Sequence, residues 1–283
     1  MLEKCVLGWD ADEDDLLLET VKKKNIGGII VYAKNIKDNF TAFSKKLRET
    51  SVNKNLIICA DQEGGSVRRF MDEDIFVMSA RESIEFLNPI QYETEVYFMG
   101  KRLKEYGIDL VLGPVLDIVT SKENILWERS YGFMEDILKF GEAFISALEK
   151  AGVSSCIKHF FGYGLANPDP HGNPVSIERT ERVKTSMFPF VKMVSRGYKD
   201  FIMTAHVDYE GEIVTYSAKW IKDYLKKSCG FGGKVITDDL MMKSAGDMPL
   251  PEKVRKSVEA GCDYCIISGR LVDAVKKLSP QAL

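Results

Sequence analysis

Along this chain, short apolar runs rich in β-branched residues alternate with longer amphipathic stretches. The runs are CVLGW from Cys5, GIIVY from Gly28, LIICA from Leu56, DLVLG from Asp109, SCIKH from Ser155, FIMTA from Phe201, KVITD from Lys234 and YCIIS from Tyr264. Each reads as a strand, and eight parallel strands are the number that closes a (β/α)₈ barrel. The intervening stretches carry helical spacing. From Asp136 to Gly152, for example, Ile137, Phe140, Phe144 and Leu148 recur every three or four residues on one stripe, and Gly152 follows as a stop. Similar stretches are DEDDLLLETVKKKN, TAFSKKLRETSV, PIQYETEVYFMGKRLKEYG, FPFVKMVSRGY, AKWIKDYLKKSCG, EKVRKSVEAG and GRLVDAVKKLS.

The predicted fold class is therefore α/β, a single TIM-type barrel over residues 1–283, since no Pro/Gly/Ser-rich linker divides the chain. A doubly wound open sheet fits the same alternation less well. Its phosphate loop should show GxGxxG or GxxxxGK[ST] after the first strand, and LGWDADEDD shows neither.

Composition narrows the classes of function. With 45% hydrophobic and 29% charged residues, the chain has the make-up of an ordinary globular protein. A net charge of -3 without a basic stripe argues against nucleic acid as a partner. The N-terminus lacks the basic and apolar regions of a secretory signal, and no run approaches a membrane span, so the expectation is a cytoplasmic monomer acting on a small molecule. The six cysteines lie in or beside apolar runs and read as reduced core thiols. Cys262 and Cys265 have redox or metal spacing but no second pair, so neither metal nor organic cofactor is expected.

In a parallel barrel the active site forms at the carboxyl ends of the strands, so polar groups following the runs are the candidates. They are Asp61, Glu63 and Arg69 after the third run, Asp117 after the fourth, Lys158 and His159 ending the fifth, His206 after the sixth, and Asp238 and Asp239 after the seventh. His171 sits in the long polar loop after the fifth, so all three histidines of the chain fall on one predicted face.

The segments ICADQEGGSVRRF, LVLGPVLDI, ERSYG, CIKHFFGYG, DPH, MTAHVDY and GGKVITDDLMM occur here in order. Together they resemble glycoside hydrolase family 3, and within it the single-domain bacterial β-N-acetylhexosaminidases of cell-wall recycling. The resemblance covers nearly the whole chain. It implies a retaining hydrolase that removes terminal β-linked N-acetylglucosamine from muropeptide-type substrates through a covalent glycosyl-enzyme, with Asp238 as nucleophile. It also implies that His171, held by Asp169, is the acid/base: an imidazole titrating near neutrality, its protonated form supported by the carboxylate. Asp61, Arg69, Arg129, Lys158, His159 and His206 would grip the sugar. Standing alone, Arg69 would read as a surface arginine and Arg129 as a partner of Glu128. Gly64 and Gly65 suit a tight turn. Asp239 should point away from Asp238, because neighbouring strand side chains face opposite ways.

The chain departs from the family pattern at Phe161, Tyr163 and Pro170, where proline, histidine and serine are usual. These changes bear on loop motion and fine specificity and remove no reacting group. Three rival readings remain: a phosphorylase or transglycosylase with the same residues, a β-glucosidase, and a silent sugar-binding barrel. The loop Gly164 to Val175 contains no Arg or Lys to hold phosphate, which favours water as acceptor.

Overall fold

The computed structural model describes residues 1–164, 175–176 and 181–279. Eight parallel strands form the centre: β1 (Cys5–Leu7), β2 (Gly28–Val31), β3 (Ile57–Ala60), β4 (Leu110–Val111), β5 (Ser154–Phe160), β6 (Phe201–Thr204), β7 (Lys234–Thr237) and β8 (Cys265–Ile267). They pair in the order β7-β6-β5-β4-β3-β2-β1-β8. A parallel bridge from Ile236 to Tyr264 joins β7 to β8, so the sheet closes into a barrel. All eight apolar runs are strands, as the pattern predicts.

Period-two alternation sorts the strand side chains into two cores. Val6, Ile30, Cys59, Leu110, Leu112, Cys156, Met203, Ile236 and Ile266 fill the barrel interior. Their neighbours, such as Leu7, Ile29, Ile58, Val111, Ile157, Ile202, Val235 and Ile267, face the helical layer. The outer layer comprises α1 (Asp14–Lys23), α2 (Phe40–Thr50), α3 (Ala80–Phe86), α4 (Pro89–Glu105), α5 (Met134–Ala151), α6 (Glu181–Ser195), a π-helix (Lys219–Ser228), α7 (Leu250–Ala260) and α8 (Leu271–Leu278). Ile137, Phe140, Phe144 and Leu148 form the buried face of α5, and Gly152 ends it with φ 77°. Glu13, at the start of α1, accepts from the backbone N–H groups of Leu271 (2.8 Å) and Val272 (3.1 Å), so it caps α8 and ties the ends of the barrel together.

Two features lie outside the sequence reading. The short helix α3 carries a capping box of Ser79 and Glu82, and Val175–Ser176, Val207–Tyr209 and Glu212–Ile213 build a small second sheet beside the barrel. No described helix is long and apolar enough to cross a membrane. All six cysteines are free thiols, and only Cys229 is not fully buried.

Candidate active site

The same alternation that fills the barrel interior continues upward past the strand ends. Cys59 faces inward and so does Asp61; Cys156 is followed by Lys158, Ile236 by Asp238, Ile30 by Tyr32 and Ile266 by Ser268. The apolar core therefore gives way to a polar layer at the carboxyl ends. A cavity of about 740 Å³ opens there, lined among others by Tyr32, Asp61, Arg69, Arg129, Lys158, His159, Tyr163, Asp238, Asp239 and Ser268.

Two carboxylates and three cations form one network on the β3–β5 side. Lys158, 2% exposed, reaches Asp61 Oδ1 at 2.8 Å and Glu63 Oε1 at 2.6 Å. Arg129 grips Glu63 with both Nε (2.8 Å) and Nη2 (2.7 Å), a two-pronged pairing that fixes the guanidinium plane. Arg69 Nη2 reaches Asp61 Oδ2 at 2.9 Å. Burial would raise the Asp61 carboxyl, but the charges of Lys158, Arg69 and Arg129 win and hold it well below its ordinary value. Glu63 is lowered in the same way: burial opposes, and Arg129 and Lys158 prevail. Both carboxylates are thus ionised, and Lys158 and Arg129, raised by them against the effect of burial, stay charged. The three cations exceed the two anions, so the network can still bind electron-rich hydroxyl and carbonyl oxygens. Arg129 pairs with Glu63 rather than with its sequence neighbour Glu128. Glu63 is the hub that sequence reasoning left unassigned, because its partners lie far away in the chain.

The turn holding this layer needs glycine. Gly64 has φ 110°, and a Cβ there would lie 2.4 Å from the carbonyl oxygen of Met78; Gly65 follows at φ 53°. At Gly164 a Cβ would meet the Ile118 carbonyl oxygen at 2.1 Å, so the backbone after β5 lies directly on the loop after β4. Asp117, wholly buried, organises that junction. Its Oδ2 accepts from the backbone N–H (2.9 Å) and ring Nδ1 (2.8 Å) of His159, and its Oδ1 from the backbone N–H groups of Tyr163 and Gly164. The carboxylate keeps the His159 proton on Nδ1 and sets the ring's orientation.

Asp238 stands across the cavity at the top of β7. Its Oδ1 accepts from the Asp239 backbone N–H at 2.8 Å and its Oδ2 from Tyr163 Oη at 3.1 Å. Burial works to protonate it, yet His159, His206, the Asp239 N–H and Lys158 together hold it below its ordinary value. Asp239 has the opposite surroundings. Its carboxylate is turned to Ser268, accepting from that residue's hydroxyl and backbone N–H and from Met241 N–H, while burial raises its pKa. The two neighbours diverge, as alternation predicts, and Asp239 links β7 to β8.

His206 requires a correction. Expected to touch substrate, it is wholly buried, with Nδ1 against Thr215 Oγ1 (2.8 Å) and Nε2 against the Asp239 carbonyl (3.0 Å). Both ring nitrogens are engaged within the protein, and burial lowers its pKa, so it braces the wall behind Asp238. Asp61, Arg69, Arg129, Lys158 and His159 do line the cavity with Asp238. Asp169 and His171 lie outside the described residues.

The profile described as glycosyl hydrolase family 3 N terminal domain matches residues 8–282. A β-hexosaminidase of Vibrio cholerae serotype O1 is 30% identical, the match covering 96% of this chain and 84% of that protein. A β-hexosaminidase of Glaesserella parasuis is 33% identical, with 94% and 80% covered. Among solved structures, NagZ from Neisseria gonorrhoeae in complex with N-trifluoroacetyl-D-glucosamine superposes with a TM-score of 0.80 at 27% identity, covering 96% of this chain and 84% of that one.

Proposed function

Because the chain belongs to glycosyl hydrolase family 3, and is a glycosidase of the β-hexosaminidase type, we propose that it removes terminal β-linked N-acetylglucosamine by a retaining, double-displacement reaction. Asp238 is the nucleophile in this reading. The observation that carries it is one ionised carboxylate on the cavity wall, with no cation bound to it among the described residues, facing a charged network. A carboxylate neutralised by a salt bridge, as Asp61 and Glu63 are, is a poor nucleophile; Asp238 is held by a neutral N–H and a neutral O–H and keeps its charge.

The steps follow from the residues. Asp61, Arg69, Arg129, Lys158 and His159 bind the sugar hydroxyls and the N-acetyl oxygen and present the anomeric carbon to Asp238. A bond forms between an Asp238 oxygen and that carbon while the glycosidic carbon–oxygen bond breaks. The leaving oxygen takes a proton from His171, oriented by Asp169. Water then attacks the same carbon, gives its proton to His171, and returns the electron pair to Asp238. The natural substrate in this reading is a fragment of peptidoglycan, a reading supported by the resemblance of the sequence motifs to the cell-wall-recycling branch of the family. The first test is release of nitrophenol by the purified protein. The β-N-acetylglucosaminide should be cleaved at least about a hundredfold better, in kcat/KM, than the β-glucoside. Equal rates on the two would remove the N-acetylhexosamine assignment.

A further inference from the structure

Tyr163 stands where the family usually carries histidine, and its surroundings assign it a task. The phenol is buried and lines the cavity. Its oxygen accepts the backbone N–H of His206 at 2.6 Å and lies 3.1 Å from Asp238 Oδ2. A hydroxyl has a single proton. With its acceptor side occupied by a backbone N–H that cannot reverse its role, that proton goes to Asp238. The backbone just after β6 therefore orients Tyr163, and Tyr163 orients the carboxylate. The phenol stays protonated, since burial and the Asp238 charge both push its pKa well upward.

We infer that Tyr163 is a positioning residue whose fixed O–H donor favours the carboxylate form of Asp238 over its glycosyl ester, and so hastens release of the sugar in the second half-reaction. The inference rests on Asp238 being the nucleophile. A hydrogen bond to a charged carboxylate is roughly twice as strong as one to a neutral acceptor such as an ester. As the ester forms, the Tyr163 bond weakens, which slightly opposes glycosylation. As water attacks and the electron pair returns to Asp238, the bond strengthens, which assists deglycosylation. An imidazole in the same place would change its charge near neutrality, whereas the phenol keeps one state across that range. Among the described residues, the other groups acting on Asp238 are Lys158 and His159 from β5, His206 after β6 and the Asp239 N–H beside it; none of them donates to Oδ2.

The test uses Tyr163→Phe and Tyr163→His with an activated nitrophenyl N-acetylglucosaminide. In Tyr163→Phe, kcat should fall about tenfold, KM should fall with it, kcat/KM should hold or rise, and a glycosyl-enzyme should accumulate in the intact mass. A residue that merely packs would lower kcat and kcat/KM together, and that outcome, or unchanged kinetics, would overturn the inference. Should the phenylalanine variant not fold, Tyr163→His carries the test: its kcat profile should gain an ionisation between about pH 5 and 8, and a profile identical to the parent's would overturn the inference. If Asp238→Asn retains full activity, the premise fails. If Asp238→Asn is inactive while Tyr163→Phe behaves as the parent, the Tyr163 assignment alone fails.

Discussion

Asp238 and Asp239 carry the same side chain in adjacent positions, and only strand parity separates their roles. Asp238 continues the inward row of Ile236 and faces the cavity, while Asp239 turns to Ser268 and helps seal the barrel. Asp238→Asn should lower turnover by about a thousandfold or more while N-acetylglucosamine still binds, because an amide keeps the shape and loses the nucleophile; titration calorimetry and steady-state assays measure the two halves. The parity of Asp61, Lys158 and Asp238 is legible in the sequence, and so is their bunching after apolar runs. The role of Glu63 is not, since it depends on Arg129 arriving from the loop after β4 and Lys158 from β5. Glu63→Gln leaves those two cations under-neutralised in a buried place, and urea denaturation should show a loss of about 3 kcal/mol. His206 illustrates the converse: a histidine at a strand end reads as a ligand, and only three-dimensional packing reveals both ring nitrogens engaged within the protein. For His171, replacement by Ala should impair substrates with poor sugar leaving groups far more than activated nitrophenyl substrates, which need little protonation. Equal losses on both would point to positioning instead of acid catalysis.

At the scale of elements, strands were legible because each is a short apolar run bounded by polar residues, and most helices because a stripe recurs over several turns. α3 was not: it spans only Ala80–Phe86 and buries just Ala80 and Ser83, so no stripe exists to be read, although Ser79-x-x-Glu82 is a capping signature. The small sheet is also silent in the sequence, its strands being two or three residues long. Where a stop signal is strong, it has a measurable effect. Gly152 ends α5 in a left-handed conformation with no atom near its missing Cβ, so Gly152→Ala introduces backbone strain without a clash. It should cost about 1 kcal/mol, a drop of about 2 °C in Tm, and leave kcat/KM untouched. A much larger loss would mean that α5 is held by contacts other than this cap.

For the whole molecule, closing the barrel buries the ionisable groups that shape its pH response. His206 has a folded pKa below its ordinary value of about 6.5. Below that pH the unfolded chain binds a proton that the folded chain resists, so stability falls as pH drops through about 6.5. Asp61 and Glu63 are lowered in the fold, so their contribution is present above about pH 4 and is lost on further acidification. Urea midpoints should decline modestly from pH 7.5 to 5.5 and steeply below about 4.5; a midpoint that rose on acidification would contradict this electrostatic picture. Asp61 and Glu63 lie on the β3–β5 side of the cavity and His206 behind Asp238 on the other, and the proposed chemistry centres on the covalent role of Asp238. The most direct measurement is to incubate the protein with a fluorinated N-acetylglucosaminide that is hydrolysed slowly, digest it, and sequence the labelled peptide by mass spectrometry. One sugar should be attached, as an ester, to Asp238 in the peptide that contains TDDL. A sugar on Asp61 or Asp239, or rapid turnover of an activated substrate by a protein that never becomes labelled, would contradict it.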